Sequence, residues 1–542
     1  MIFNIDEVTV YFPYPYIYKE QRDYMVELKQ ALDNKQHCML EMPTGTGKTI
    51  TLLSLITSYQ LAHPEVPKLV YCTRTVPEME KALEELRELI KYRESVIAAA
   101  GGKSPPILAL GLSSRRNMCI HEQISQESDR VTVDAKCRSI TASWVRQRKE
   151  QDPAAGIDVC SFFEGFDKHG SERLLTSGVY TLDDLRELGK EKGWCPYFTA
   201  RHYIRFANVI VYNYAYVIDP KIKDQVSKEI EKESILVFDE AHNIDNVCIE
   251  SLSCNINRRA LDGASRNIAS LSRCISRSKE ENAARLRAEY NNLLNGLRDQ
   301  GAVPNAHTDQ IGGDPVGLED AVNATMPGDI LSAENFVAFM RKVVDFLKER
   351  LRETNTVEMT DNVSFVKALM RKMQLQEPKS LRFAASRLKS LLQTLEVVDV
   401  DTYAPLSVVS DLCALVAKYT AGFKIIIEPF DERLPNVPDP ILHLACLDAS
   451  LAIKDVFDHF QSVVITSGTL SPIELYPKVP SLTHSHTLMY THMHTHARRF
   501  SSCRYAHTHA HTHTHTHTHT PRTLTYAHIP QDPQLPSGDQ DL

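Results

Sequence analysis

The sequence predicts an α/β protein built on a parallel sheet, interrupted by two insertions and followed by a structureless tail. Three observations predict it: short apolar runs bounded by turn residues recur, a glycine-rich turn ending in lysine follows one of them, and an Asp-Glu pair follows another. The runs are 37–41, 69–73, 208–212, 235–238 and 463–466. They are apolar throughout instead of alternating, which suits strands covered on both faces. Helical patterns such as 76–90 lie between them, as parallel crossovers require.

Composition narrows the class. At roughly 150 residues per domain, 542 residues allow three or four folding units. The chain is 43% hydrophobic and 24% charged, ordinary globular material. A net charge of −8 gives no global basic field, so nucleic-acid contact would have to come from local patches. No apolar run reaches the roughly 18 residues of a membrane span, and the first residues lack a basic segment before an apolar one. Twelve cysteines without such a signal point to a reducing compartment.

Two stretches break the strand–helix rhythm. Residues 113–200 carry four cysteines, many aromatics and few strand signals; residues 250–440 read mainly helical, with Leu286, Tyr290, Leu293 and Leu297, then Phe336, Met340, Val343 and Leu347, at helical spacing. Strands resume after each, so both are expected to be insertions into one α/β domain made of 1–112, 201–249 and 441–478. From Val479 the texture changes to Thr-His alternation, with a His-Thr repeat over His507–Thr520 interrupted at Ala510. A CACACA nucleotide repeat encodes that dipeptide in one frame, and such a segment cannot bury a core. Residues 479–542 are therefore expected to be translated non-coding sequence and disordered.

The sharpest motif is Glu41-Met42-Pro43-Thr44-Gly45-Thr46-Gly47-Lys48-Thr49, between a strand and a helical pattern. Strand, glycine-rich turn and helix is the context of a phosphate loop. Backbone N–H groups of Thr44, Gly45, Thr46 and Gly47 would close around phosphates at a helix N-terminus. Lys48 would meet the β- and γ-phosphates of ATP, and Thr49 would sit on Mg²⁺. The second motif, Asp239-Glu240-Ala241-His242, ends another buried strand. Asp239 would hold Mg²⁺, Glu240 would position and deprotonate a water, and His242 would sense the γ-phosphate. Ser467-Gly468-Thr469 follows a third strand. Thr73-Arg74-Thr75 ends a fourth with a set suited to phosphate contact, Arg74 and Thr75 being candidate DNA contacts, while a helix N-cap at Thr75 is compatible with it.

Taken in order, these residues resemble a superfamily 2 helicase of the DEAH type, and more narrowly the xeroderma pigmentosum group D (XPD) helicase family. Tyr11-Phe12-Pro13-Tyr14 with Glu20-Gln21, Arg74-Thr75-Val76-Pro77-Glu78, Ser114-Arg115-Arg116-Asn117, Gly193-Trp194-Cys195-Pro196-Tyr197-Phe198, Asp239 to Asn246 and Thr466 to Pro472 carry the likeness, which covers roughly 1–478. The resemblance implies a RecA-like P-loop motor domain 1, with Gln21 near adenine. It implies a 5′→3′ ATP-dependent DNA helicase subunit of transcription factor IIH. That subunit would act in the nucleus on single-stranded DNA in nucleotide excision repair and transcription initiation, beside the factor's core and kinase-assembly subunits.

Cys119, Cys137, Cys160 and Cys195 are widely spaced, with no Cys-x-x-Cys pair, so spacing leaves metal binding and buried structural cysteines both open. The resemblance implies that these four hold a [4Fe–4S] cluster, with zinc as the other metal. Arg115 and Arg116, with Lys136 and Arg138, would offset cluster charge or line a single-strand path. The helical insertion would be the family's arch. The Gln-x-x-Gly-Arg-x-x-Arg signature of a second motor domain occurs nowhere in the chain. A truncated form with weak or no motor activity is therefore expected, the alternative being a non-enzymatic isoform that binds partners or DNA.

Overall fold

The computed structural model describes residues 1–468, apart from 44, 155, 172–174, 227–229, 300–331, 353–355, 398–399, 420 and 431–437, and also residues 489–492. In chain order the strands are β1 (Ile2–Ile5), β2 (Val8–Tyr11), β3 (Cys38–Glu41), β4 (Leu69–Thr73), β5 (Leu108–Leu112), β6 (Gly178–Tyr180), β7 (Val209–Asn213), β8 (Ile235–Phe238), β9 (Cys254–Asn257), β10 (Glu358–Asp361), β11 (Phe423–Phe430), β12 (Pro438–Cys446), β13 (Ser462–Ser467) and β14 (Met489–His492).

The expected α/β core is present. Its sheet runs β14-β3-β13-β8-β4-β7-β5-β6, and every pairing in it is parallel. Every residue of β3, β4, β5, β8 and β13 is buried, as continuous apolar runs demand. Helix Lys48–Ala62 is buried nearly all round because helices Lys19–Asp33 and Val76–Ala99 and strand β2 pack on it. The last of these helices starts with a capping box in which Thr75 and Glu78 bond each other's backbone.

Register decides where the site forms. Ser467 of β13 lies opposite Glu41 of β3, and Phe238 of β8 lies opposite both Ile465 of β13 and Cys72 of β4. The carboxyl ends of β3, β13, β8 and β4 thus share one rim, the edge where open α/β sheets bind ligands.

Two features depart from the sequence reading. The region read as mainly helical holds its long helices, Arg258–Asp299, Ala333–Arg352 and Ala404–Lys418, with Phe336, Met340, Val343 and Leu347 fully buried. It also contains an antiparallel sheet, β10-β11-β12-β9. Ile425 and Ile427 of β11 and Leu442 and Leu444 of β12 are buried at a period of two, a half-covered pattern easily lost among helical ones. Within the stretch from Val479, the described residues Met489–His492 form β14 against β3, where a coil is expected. Strand β3 would otherwise leave a row of backbone donors and acceptors open, and pairing with it asks only for main chain. The rest of that stretch lies outside the described residues.

Candidate active site and cysteine insert

Loop 42–47 leaves β3 and enters helix Lys48–Ala62 through two glycines in the left-handed region, Gly45 (φ +83°) and Gly47 (φ +77°). A Cβ on Gly47 would stand 2.9 Å from Gln21 Nε2, so glycine is needed there for space as well as conformation. A Cβ on Gly45 would meet nothing within 4 Å, which leaves open room above the loop. Gln21 joins the loop to the N-terminal segment: its amide donates to Thr46 O at 2.9 Å, and its Oε1 accepts from Tyr18 N at 3.0 Å. Thr46 Oγ1 bonds Pro43 O at 2.6 Å, bracing the turn. Thr44 is outside the described residues.

The loop lysine and the acidic pair lie together at the rim. Lys48 Nζ lies 2.5 Å from Glu240 Oε1, although 192 positions separate them. Glu240 Oε2 accepts from Ser467 Oγ at 3.3 Å and faces His242 Nδ1 at 3.4 Å, while His242 Nδ1 and Ser467 Oγ are 3.1 Å apart. Glu240 itself is left-handed (φ +54°), which turns the chain sharply from β8 into the short helical turn Ala241–Asn243. For a residue with a Cβ that conformation costs on the order of 1 kcal/mol, strain of the kind held at functional sites.

Asp239 is 8% exposed and held from inside the sheet. Its Oδ2 accepts from Tyr71 Oη at 2.7 Å, its Oδ1 from Glu240 N at 2.9 Å, and its carbonyl from the Tyr214 hydroxyl. Burial pushes the Asp239 carboxyl above its ordinary range, against the Tyr71 hydrogen bond and the Lys48 charge. Burial acts upward on Glu240 too, but the hydrogen bond and charge of Lys48, with His242 and Ser467, outweigh it and hold Glu240 below the carboxylate norm. The two adjacent acids are therefore pushed in opposite directions, Asp239 up by burial and Glu240 down by its lysine partner. Tyr24 Oη donates to Thr466 Oγ1 at 2.8 Å in the core, so the helix bearing Gln21 is tied to the strand bearing Ser467.

Sequence reasoning missed Tyr71, Tyr24 and Tyr214. All three are buried, and only Tyr71 falls in a run that reads as a strand. Their one signal is a phenol on a buried face, which needs a hydroxyl partner.

The four insert cysteines carry free thiols and are buried or nearly so. Cys160 N bonds Ile140 O at 3.1 Å, joining it to the helix that carries Cys137, and Cys195 N bonds Phe162 O at 2.8 Å. Burial raises every thiol, Cys137 to about 11 and Cys195 to about 12. Each feels at least one of the others: Cys119 with Cys160, Cys137 with both, Cys195 with Cys137 and Cys160. Among the described residues no three of these sulfurs lie within 4.8 Å of one another, so the four thiols share one insert without forming a closed ligand shell. Metal coordination would reverse their protonation outright.

Arg115 does not reach out to solvent as a free cation. Its side chain is 15% exposed, pairs with Asp134 at 3.2 Å and lies 4.5 Å from the Tyr197 ring centroid. Its charge acts on Cys119 and Cys137, so it faces the cysteines and not an open strand path. Arg116, Arg74 and Thr75 are exposed. Trp194, Tyr197 and Tyr203 are packed inside.

A parallel sheet with a glycine-rich loop, a lysine and an acidic pair at one rim defines the P-loop α/β class of proteins. Family comparison narrows this: residues 71–261 match the DEAD_2 family model and 274–422 the Helical and beta-bridge domain model. The chain is 54% identical over 484 residues to the general transcription and DNA repair factor IIH helicase subunit XPD of Arabidopsis thaliana, covering 89% of this chain and 62% of that one. The corresponding subunit of Dictyostelium discoideum is 46% identical, with 88% and 60% covered, and that of Schizosaccharomyces pombe 45%, with 88% and 61%. A solved XPD helicase aligns with 88% of the chain and 62% of its own length at 14% identity and a TM-score of 0.44. The chain belongs to the XPD helicase family, and it spans about three fifths of the length of these relatives.

Proposed function

We propose that the rim formed by β3, β8 and β13 binds magnesium ATP and that the chain is the nucleotide-binding motor part of an ATP-dependent DNA helicase. Gly45, Thr46 and Gly47 would wrap the phosphates, and Lys48 would leave Glu240 for the β- and γ-phosphates. That exchange frees Glu240 to orient and deprotonate the attacking water, with His242 and Ser467 beside it to register whether the γ-phosphate is present. Gln21, already anchored to the loop, would read the adenine edge. Thr49 and Asp239 fit Mg²⁺ as a hydroxyl and a carboxylate on one side of the loop, and the ion, when bound, would neutralise phosphate charge. The observation that carries the reading is the Lys48–Glu240 contact at the rim, beside the buried Asp239 held by Tyr71.

Cys119, Cys137, Cys160 and Cys195 would hold a [4Fe–4S] cluster, whose chemistry here would be structural, cross-linking an insert with little core of its own. Arg115 would balance its charge from inside. Arg74, Thr75 and Arg116, exposed near the rim and the insert, are the DNA contacts to test. In this reading the family's role follows: a 5′→3′ helicase subunit of transcription factor IIH, nuclear, acting on single-stranded DNA in repair and transcription initiation alongside the factor's core and kinase-assembly subunits.

The 542-residue polypeptide by itself should bind ATP weakly and turn it over little. Arginines that stabilise the charge developing on the γ-phosphate are worth orders of magnitude in rate, and their motif does not occur in this sequence. Titration with ATP in magnesium, and a DNA-stimulated ATPase assay, test both parts. No nucleotide binding would end the site assignment. Fast turnover that disappears in Lys48→Ala would overturn the low-activity prediction.

A further inference from the structure

One proposed magnesium ligand, Asp239, has a partner that the phosphate-loop chemistry does not call on. Tyr71 lies in β4 opposite Val237 of β8, one position before the last pair, Cys72 and Phe238. It is fully buried, and its hydroxyl donates to Asp239 Oδ2 at 2.7 Å. The other oxygen, Oδ1, accepts from Glu240 N at 2.9 Å. Each carboxylate oxygen has two lone pairs. One on each is therefore taken from inside the sheet, and the remaining pair on each is left for the ligand side.

We propose that Tyr71 is a positioning residue for the metal-facing carboxylate: its hydroxyl, donating to Asp239 from the buried strand β4, sets the direction in which Asp239 offers its free lone pairs to magnesium. The inference rests on the ATP site proposed above. Rotation of the carboxylate would break both inner hydrogen bonds together, so the side chain is held in one orientation before any ion arrives. Outer partners of metal ligands act in this way, and removing one typically costs 10–100-fold in metal affinity. Tyr214 supplies the contrast. Its hydroxyl bonds the main-chain carbonyl of Asp239 and leaves the carboxylate alone.

The test is ATP binding by the full chain, wild type, Tyr71→Phe and Tyr214→Phe, each titrated with magnesium and with EDTA in its place. Phenylalanine keeps the ring that fills the core and removes only the hydroxyl. Tyr71→Phe should lower affinity for magnesium ATP about tenfold while leaving metal-free ATP binding unchanged, and Tyr214→Phe should alter neither. Equal losses with and without magnesium, or equal losses in both variants, would mean loosened packing and would overturn the role. Magnesium dependence in Tyr71→Phe identical to wild type would overturn it while the ATP site stands. Wild-type binding that gains nothing from magnesium would remove the site assignment as well.

Discussion

The rim of the parallel sheet and the cysteine insert are both polar centres set among buried apolar side chains, yet they are held in opposite ways. At the rim the charged groups already have protein partners. Lys48 is on Glu240, Glu240 on Ser467, and Asp239 on Tyr71 and its neighbour's N–H, at the ends of strands in fixed register and the start of the helix that follows β3. In the insert, thiols with raised pKa values sit among short helices and the edge strand β6. The first centre is preorganised by backbone hydrogen bonding and should survive without ligand. The second gathers groups that repel one another as thiolates, so its geometry should depend on what it binds.

The sharpest way to break this contrast is Cys195→Ser. It should abolish iron binding, from about four irons per chain to near none, and open residues 113–200 to protease while the sheet keeps its protection. Iron analysis and limited proteolysis read both, and retained iron or a protected insert would void the comparison. Lys48→Ala should do the reverse: ATP affinity should fall at least about tenfold, as expected for losing a charge-assisted contact, while residues 113–200 keep their protection from protease.

Asp239→Asn sharpens the comparison further. Burial raises the folded-state pKa of Asp239 above its unfolded value, so the ionised form is disfavoured on folding. The penalty is absent in acid, grows as pH rises through the unfolded pKa, and is complete above the folded one. Asparagine should therefore raise the melting temperature at neutral pH by roughly 2 °C, with the advantage vanishing in acid, and it should weaken magnesium ATP binding. Glu240 has the opposite sign. Its pKa is depressed, so its stabilising contribution is present above the unfolded pKa and lost as pH falls through the folded one. Glu240→Gln should thus give no gain in neutral-pH melting. A gain equal to that of Asp239→Asn would contradict the assignment.

Arg115→Gln removes the ion pair with Asp134 and the stack on Tyr197, and should cost about 1–2 kcal/mol in urea unfolding of the insert. The smallest effect is expected at Arg148–Glu396, a partly exposed pair at 3.1 Å between the insert and the helical region. Arg148→Ala should change stability by no more than about 0.5 kcal/mol and lose its effect in high salt.

Much of the sheet was legible because burial on both faces leaves an unbroken apolar run. The runs 69–73 and 235–238 coincide with β4 and β8, that at 37–41 differs from β3 by one residue at its start, and those at 208–212 and 463–466 differ from β7 and β13 by one residue at each end. The hairpin of β1 and β2, the short strands β5 and β6 and the antiparallel sheet were not legible. Leu108-Ala-Leu-Gly-Leu contains weak strand formers, and β10 alternates partly buried with exposed positions. Lys48, Thr49, Asp239 and Glu240 could be named in advance because local spacing alone places a lysine at a helix start and acids at a strand end.

Local order in the chain by itself determined the phosphate loop, the acidic strand end and the four cysteines, since each depends on residues near one another or on residue type. What the tertiary structure alone decided is who meets whom: Lys48 with Glu240, Tyr71 with Asp239, Tyr24 with Thr466, and Arg115 with Asp134. Those partners lie from 19 to 442 positions apart. Only strand register and packing bring them within hydrogen-bond reach, because a hydrogen bond acts over about 3 Å and no periodicity in sequence encodes that distance.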